Sequence, residues 1–352
     1  MSANPTNSKG PLSGYRIIDV TQMLSGPMAT MILGDQGADV IKVEPPGIGD
    51  LTRAMGAGKR GIPPTFAVIN RNKRSIAIDL KDHRGLAVLK HLVTGADVFV
   101  QNFRPGRAER MGIGERELRR IKADLIYVSI SGFGEKGPYV EKRVYDPVIQ
   151  ALSGLAAIQT DYKTGRPQMM RLIIPDKVTA LTAAQAITAA LLARERSGEG
   201  QHVRLAMLDA VIAFLWPEGM ARHTFISSGL QPARPDSRDL IFETANGYIT
   251  CGANSNAEWE RRRRRSTREH ARESGRRRRP WYLDATVAPI DATAAQSSDA
   301  GGAGAASAAR RARWARSSSR TARAASSSTK RRRGFWSRSQ ISARASVARL
   351  CL

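Results

Sequence analysis

The chain has 352 residues, with 56 lysines and arginines against 31 aspartates and glutamates, which gives a formal net charge of +25. A chain of this length can bury a sizeable core and can hold two domains. Its two cysteines lie far apart, and its five histidines lack metal-ligand spacing. We therefore expect neither a disulfide framework nor a metal site. The low cysteine content favours a reducing compartment such as the cytoplasm.

Membrane association is not indicated by the apolar pattern. No apolar run reaches the roughly 18 residues that a membrane-spanning helix needs. Residues 1–11 are polar and lack the apolar core of a secretory signal, so they predict a disordered N-terminus. We expect a cytoplasmic protein without a membrane partner.

The positive charge is concentrated in the last part of the chain. Residues 261–352 hold 24 lysines and arginines against 5 acidic residues, and Arg, Ala, Ser and Gly dominate there. Two interpretations stay open. One is a disordered basic tail that binds nucleic acid nonspecifically. The other is a shifted reading frame in a GC-rich gene, which the coding DNA around residue 260 would reveal.

The predicted elements begin with a βαβ unit. An apolar run at 17–20 predicts a buried strand, Gly26-Pro27 opens a helix, and 39–44 form a second strand that ends at a Pro-Pro-Gly sequence. The dinucleotide fingerprint G-x-G-x-x-G is absent, because Gly26 and Gly34 do not have that spacing. The pattern therefore does not favour a nicotinamide or flavin site.

Helices and strands continue to alternate along the chain. The predicted helices are 84–96, 114–123, 144–157, 177–198 and 208–216, and the predicted strands are 97–103, 124–134 and 201–207. This alternation predicts an α/β fold with a doubly wound, mostly parallel, Rossmann-like sheet over residues 12–225. We expect a linker and the start of a smaller domain at 226–260, followed by the basic tail at 261–352.

Three motifs occur in an order and spacing that resemble one enzyme family. They are TQMLSGPMATMILGDQGADVIKVEPPGIGD at 21–50, NRNKRSIAIDLK at 70–81 and VQNFRPGRAERMGIG at 100–114. Together they resemble the class III CoA-transferases, a family that includes formyl-CoA transferase, carnitine CoA-transferase, the bile acid-inducible F type and α-methylacyl-CoA racemase. The resemblance spans about residues 12–259.

The resemblance implies an architecture and a substrate class. Family members form interlocked homodimers, and coenzyme A enters as a substrate, not as a permanently bound cofactor. Their C-terminal segment returns to complete the large domain. Because the basic tail replaces that segment here, we expect an incomplete domain and impaired activity.

Asp176 is the candidate catalytic residue, directly before the long helix predicted at 177–198. From the residues alone it is either a helix N-cap or a carboxylate held ionised by the helix dipole. The resemblance implies that Asp176 is the nucleophile. It would attack an acyl-CoA thioester to form a mixed anhydride, after which the CoA thiolate gives an aspartyl-CoA thioester and an acceptor carboxylate takes over the CoA. Pro175 stands where formyl-CoA transferases tend to have glycine.

Tyr145 and Asp146 bear on the choice between transferase and racemase. Racemases of the family use a histidine immediately before an aspartate, and here Tyr145 precedes Asp146. A tyrosine, with an ordinary pKa near 10, is a poor base at neutral pH. This argues against the racemase, which remains the second candidate. Asp146 is either a helix-start cap or an acid near the nucleophile.

The resemblance also implies CoA contacts. The 3′-phosphate and diphosphate of CoA need cations and backbone donors. The residues that would supply these contacts, or line the adenine and pantetheine path, are Lys73, Arg74, Asn102, Phe103, Arg104, Arg107 and Arg110. We expect them in loops at the carboxyl ends of strands, where ligands of doubly wound sheets bind. The alternative is that these cations are solvated surface charges.

Overall fold

The computed structural model describes residues 10–59, 62–161, 163–220, 223–224, 241–244, 247–250 and 288–290. The chain divides into two compact units, Met1–Ala233 and Arg234–Leu352. Within the described ranges no helix is long and apolar enough to cross a membrane, and no group of His, Cys, Asp or Glu side chains could hold a metal ion. The expectations for residues 1–9, for most of 226–260 and for nearly all of the basic tail fall outside these ranges.

The described part of the first unit consists of strands connected by helices. Its strands are β1 (Arg16–Asp19), β2 (Asp39–Glu44), β3 (Lys73–Ala77), β4 (Val98–Gln101), β5 (Ile126–Ser131) and β6 (His202–Ala206). Its helices are α1 (Ser25–Asp35), α2 (Pro64–Ile69), α3 (His83–Thr94), α4 (Arg107–Arg110), α5 (Glu115–Ile121), α6 (Asp146–Leu152), α7 (Leu155–Ile158), α8 (Ile174–Ser197) and α9 (Met207–Gly219). A single 3-10 turn, Leu51–Ala54, follows β2.

The six strands form one parallel sheet in the order β3-β2-β1-β4-β5-β6. This order reverses between β1 and β4, so the loops that follow these two strands diverge at the carboxyl edge of the sheet. Ligands of doubly wound folds bind at this point. The predicted α/β fold class is confirmed.

The core lies on both faces of the sheet because successive strand residues point to opposite sides. Ile17 packs with α1 and α8 on one face, whereas its neighbour Ile18 packs with α3 and α5 on the other. Alanines of α8, such as Ala180 and Ala183, are fully buried and let this helix lie close against the sheet. A third apolar cluster joins α6, α8 and α9.

The first unit differs from the sequence prediction in several elements, and the short helices α2 and α4 have no predicted counterpart. The helix predicted over 144–157 is divided into α6 and α7, because Gly154 takes a left-handed conformation with φ of +88° between them. Strand β3 was not predicted. Its residues are mostly exposed and polar, so they lack the apolar run that marks the central strands.

The second unit contains a small sheet. Its strands are β7 (Ile241–Thr244), β8 (Gly247–Thr250) and β9 (Ala288–Ile290), which pair antiparallel in this order.

Gly200, in the connection between α8 and β6, provides a test of the packing at the edge of the sheet. A Cβ atom at this position would overlap the backbone of Asp124 and Leu125, which cannot move aside as a flexible side chain could. We expect Gly200→Ala to lower the free energy of unfolding by about 2 kcal/mol or more, measured by urea denaturation. Gly198 has a φ of +74° and no atoms near its Cβ position, so Gly198→Asn should cost less than about 1 kcal/mol. Equal losses in the two variants would contradict this account.

Candidate functional site

The first turns of α1, α6 and α8 converge on one carboxylate. Asp176 lies in the first turn of α8, Ser25 is the first residue of α1, and Asp146 is the first residue of α6. The hydroxyl and the backbone N–H of Ser25 lie near the Asp176 carboxylate and act to lower its pKa. The positive ends of two long helices, α1 and α8, therefore face this group.

The acidity of Asp176 is set by opposing influences. Burial, and then the neighbouring Asp146 carboxylate, raise the pKa of Asp176 to about 6, although the Ser25 hydroxyl and N–H act to lower it. At pH 7 the group is ionised in about nine molecules of ten. It is nevertheless a stronger base than an ordinary aspartate, and this combination suits a carboxylate nucleophile.

The N-cap interpretation of Asp176 is wrong. The N-cap of α8 is Ile173, whose own side chain makes no capping hydrogen bond. Asp176 lies three residues further on, inside the first turn, with its side chain turned toward Ser25. Pro175 fills an early helical position that needs no backbone donor, and the first-turn N–H of Asp176 is bonded to Asp146.

Asp146 is hydrogen-bonded to the backbone of Asp176 and to Gln150. Its Oδ2 accepts a hydrogen bond from the backbone N–H of Asp176 at 3.3 Å, and its Oδ1 accepts one from Gln150 Nε2 at 2.6 Å. Gln150 Oε1 in turn accepts from the backbone N–H of Met170 at 2.9 Å. The helix-cap interpretation of Asp146 is wrong, because the N-cap of α6 is Tyr145 and no side-chain bond is made there. The buried Asp146 is an acid beside Asp176, whereas the Tyr145 side chain is 63% exposed.

Lys73 and Arg74 do not lie in a loop at the carboxyl edge, and that expectation is wrong. They are the first two residues of β3. The Lys73 ammonium, whose side chain is 1% exposed, donates to Asp19, to the Pro27 carbonyl and to Asn70 at 2.7–3.0 Å. Burial lowers the pKa of Lys73 to about 8 against the attraction of Asp19.

Arg74 lies at the opposite edge of the sheet from the ends of β1 and β4. Its guanidinium pairs with Asp39, the first residue of β2, at 2.6 Å. Its charge is therefore engaged at the amino end of the strands, away from Ser25 and Asp176.

The remaining predicted contacts follow β4. Asn102, Phe103 and Arg104 lie in the loop after this strand, as predicted, whereas Arg107 and Arg110 belong to the short helix α4 and not to a loop. A cavity of about 490 Å³ is lined by Arg104, Arg107, Arg110, Met111 and Glu141. The guanidinium of Arg107 lies 5.3 Å from the centre of the Phe103 ring. In the part of the chain that the structure describes, no carboxylate forms an ion pair with any of the three arginines, so their charges are available to an anion.

Asn102 holds the backbone of the neighbouring loop. Its Oδ1 accepts from the N–H of Gln22 at 3.0 Å and its Nδ2 donates to the carbonyl of Gln22 at 2.8 Å. Both polar groups of this amide are thus engaged within the protein.

Neither Ser25 nor Gln150 was predicted from the sequence. The contact between Ser25 and Asp176 joins residues 151 positions apart, so no local pattern contains it. One signal was present, since Ser25 precedes Gly26 at the start of a helix. A Cβ atom at Gly26 would overlap the Thr21 side chain, so glycine is required where the start of α1 packs against Thr21.

The profile of CoA-transferase family III matches residues 12–327, further than the 12–259 range of the motif resemblance. The succinyl-CoA:glutarate CoA-transferase of Mus musculus is 39% identical over 259 residues, which cover 72% of this chain and 59% of that protein. The acetyl-CoA:oxalate CoA-transferase of Acetobacter aceti is 40% identical over 258 residues, which cover 71% and 65%. The chain spans about three fifths of the length of these curated relatives.

Two solved structures share the fold. A hypothetical protein from Mycobacterium tuberculosis superposes with a TM-score of 0.65 at 32% identity, covering 74% of this chain and 70% of that one. A CAIB/BAIF family protein from Brucella suis has a TM-score of 0.62 at 34% identity, covering 69% and 66%.

Replacement of Asp146 by asparagine tests the electrostatic origin of the Asp176 pKa. Asp146→Asn removes a negative charge but keeps an oxygen that can accept from the Asp176 N–H, so we expect the pKa of Asp176 to fall from about 6 toward the ordinary range of aspartate. Carbon-13 NMR of aspartate-labelled protein measures this titration, and Asp176→Asn assigns the signal. Asp161→Asn, in an exposed loop, serves as the matched control and should leave the titration in place. An unchanged pKa in the Asp146 variant would show that the two carboxylates are not coupled.

Proposed function

The chain belongs to CoA-transferase family III, and we propose on that basis that it moves coenzyme A from an acyl-CoA thioester to a carboxylic acid. The observation that carries the proposal is the Asp176 carboxylate, which is mostly ionised at pH 7, more basic than usual and close to two donors of Ser25. The names of the relatives suggest small dicarboxylic acids as substrates for this chain too.

In the first half-reaction, a carboxylate oxygen of Asp176 attacks the acyl carbon of the thioester. The new C–O bond replaces the C–S bond, CoA leaves as thiolate, and a mixed anhydride results. The thiolate then attacks the Asp176 carbonyl carbon. The donor acid leaves as a carboxylate, and Asp176 holds CoA as a thioester.

The second half-reaction reverses these steps with a new acid. The acceptor carboxylate attacks the Asp176 carbonyl carbon, and CoA leaves as thiolate, which gives a second mixed anhydride. The thiolate then attacks the acyl carbon of the acceptor, and Asp176 leaves as a free carboxylate. Each step exchanges a carboxylate for a thiolate, so the net reaction needs no proton transfer. The Ser25 donors are placed to stabilise the negative charge that develops on the Asp176 carbonyl oxygen.

We assign the phosphates of CoA to the cavity of Arg104, Arg107 and Arg110. Three guanidinium groups that form no ion pair with a carboxylate of the described residues suit an anion of several negative charges. Phe103, beneath Arg107, offers an aromatic surface along the path of the adenine or the pantetheine. Lys73 and Arg74 are left out of this assignment because Asp19 and Asp39 already engage their charges.

The wider proposal follows the family resemblance. Coenzyme A acts as a substrate, the protein forms a homodimer, and it is located in the cytoplasm. The transferase is favoured over the racemase because Tyr145 stands where a racemase needs a histidine base. The effect of the basic tail on activity remains a prediction.

Asp176→Ala tests the nucleophile. Because the neighbouring Asp146 carboxylate is already bonded to Gln150 and to the backbone N–H of residue 176, it cannot replace the nucleophile. We therefore expect kcat for CoA transfer from succinyl-CoA to oxalate or glutarate to fall by at least about 10³-fold. Hydroxylamine added during turnover should convert Asp176 of the unsubstituted protein to a hydroxamate that mass spectrometry detects. The control is Asp161→Asn, which should retain full activity. Transfer that survives in the alanine variant would refute the mechanism.

The arginine cavity is tested with CoA and 3′-dephospho-CoA thioesters. We expect Arg107→Gln or Arg110→Gln to raise KM for the acyl-CoA by about tenfold, since a charge-assisted hydrogen bond is lost, with a smaller change in kcat. The arginine that binds the 3′-phosphate is the one whose variant no longer distinguishes the two thioesters. Arg74→Gln, which loses only its contact with Asp39, is the matched control. An equal rise in KM for Arg74→Gln would disprove the assignment.

A further inference from the structure

The loop between β1 and α1 leads directly into Ser25 and contains a strained residue. Met23 has a φ of +70°, in the left-handed region that residues other than glycine rarely adopt. Such a conformation is strained and persists only where surrounding contacts hold it. The contacts that hold this loop therefore decide where Ser25 lies.

A buried ion pair holds two of the loop residues. Lys42 Nζ lies 2.9 Å from Asp50 Oδ2, and the two side chains are 1% and 0% exposed. Lys42 donates to the carbonyl of Thr21 at 2.8 Å, and Asp50 Oδ1 accepts from the N–H of Met23 at 3.3 Å. Both charged groups of the pair are thus bonded to the loop backbone.

Asn102 holds Gln22, the residue between Thr21 and Met23. Its side-chain amide accepts a hydrogen bond from the N–H of Gln22 and donates one to the carbonyl of Gln22. Lys42 belongs to β2, Asp50 follows β2 and Asn102 follows β4, and these strands lie on either side of β1. Three successive loop residues, Thr21, Gln22 and Met23, are therefore fixed from both neighbours of the strand that precedes them.

The buried ion pair between Lys42 and Asp50 is not explained by its contribution to stability. A buried ion pair contributes little net stability compared with apolar side chains of the same volume. Lys42 and Asn102 bond to backbone atoms of the loop before Ser25, and Asp50 shares its Oδ1 between the N–H of Met23 and the N–H and hydroxyl of Thr52. The N–H and hydroxyl of Ser25 are the two donors that lower the pKa of Asp176.

We propose that Asp50 and Asn102 are positioning residues for Asp176. They keep Met23 in its left-handed conformation, so that the donors of Ser25 stay directed at the Asp176 carboxylate. The catalytic meaning of this arrangement rests on the proposed function, in which Asp176 is the nucleophile. The effect on the carboxylate itself does not depend on that function.

The test is the titration of Asp176 in the full chain, followed by carbon-13 NMR of labelled aspartate and by the pH dependence of CoA transfer. Asn102→Ala and Asp50→Asn should each raise the proton affinity of Asp176, by several-fold to about tenfold, because a donor to the carboxylate is weakened. Ser25→Ala should act in the same direction. Asp35→Asn, which loses bonds to Arg71 and Asn72 at the other end of α1, should leave the titration unchanged.

A double-mutant cycle separates positioning from general destabilisation. If Asn102 acts through Ser25, Asn102→Ala should change the titration less in the Ser25→Ala background than in the unsubstituted protein. Additive effects, or an unchanged titration in a folded Asn102→Ala variant, would overturn the proposal. The Asn102 arm decides the matter if Asp50→Asn does not fold. Transfer by Asp176→Ala would refute the proposed function alone, since the NMR titration reports on positioning without any turnover.

Discussion

The buried carboxylate of Asp19 joins the elements on which the site is built. Its Oδ1 accepts from the N–H and hydroxyl of Thr21, and its Oδ2 accepts from Thr30 of α1 and from Lys73 of β3. Burial disfavours its charge, but Lys73, Lys42 and the hydroxyls hold the pKa of Asp19 well below its usual range. One ionised group thus ties the end of β1 to the next loop, the next helix and the edge strand. The position of α1, and with it of Ser25, depends on this group remaining charged.

The predictable parts of the molecule are those with a local signal. The apolar runs of β1 and β2 and the long helix α8 were found because burial on a sheet face or a helix face imposes a period on the sequence. Strand β3 escaped because an edge strand with exposed polar residues has no such period. The break at Gly154 escaped because a glycine inside an apolar run does not reveal its own φ.

The site was predictable only in part, for a different physical reason. The family motifs pointed to Asp176 and to the arginines after β4, and the structure places the arginines around one cavity. The same motifs misplaced Lys73, because a lysine beside a phosphate and a lysine buried on an aspartate look alike in sequence. The role of Ser25 depends on the packing of α1 against α8, and no local pattern records that contact. What sequence cannot give is the partner of each charge, which only the folded chain decides.

The proximity of Asp146 to Asp176 has a consequence for the energy of the covalent intermediates. In the free protein the two carboxylates repel each other, and this repulsion contributes to the raised pKa of Asp176. Acylation of Asp176 under the proposed mechanism removes one of the two negative charges, as protonation does. The repulsion is then released, so the neighbour that makes the carboxylate more basic also favours the acylated protein over the free one. Because Asp146 is bonded to the backbone N–H of Asp176 and not to the reacting oxygens, this preference can act while α8 keeps its anchor.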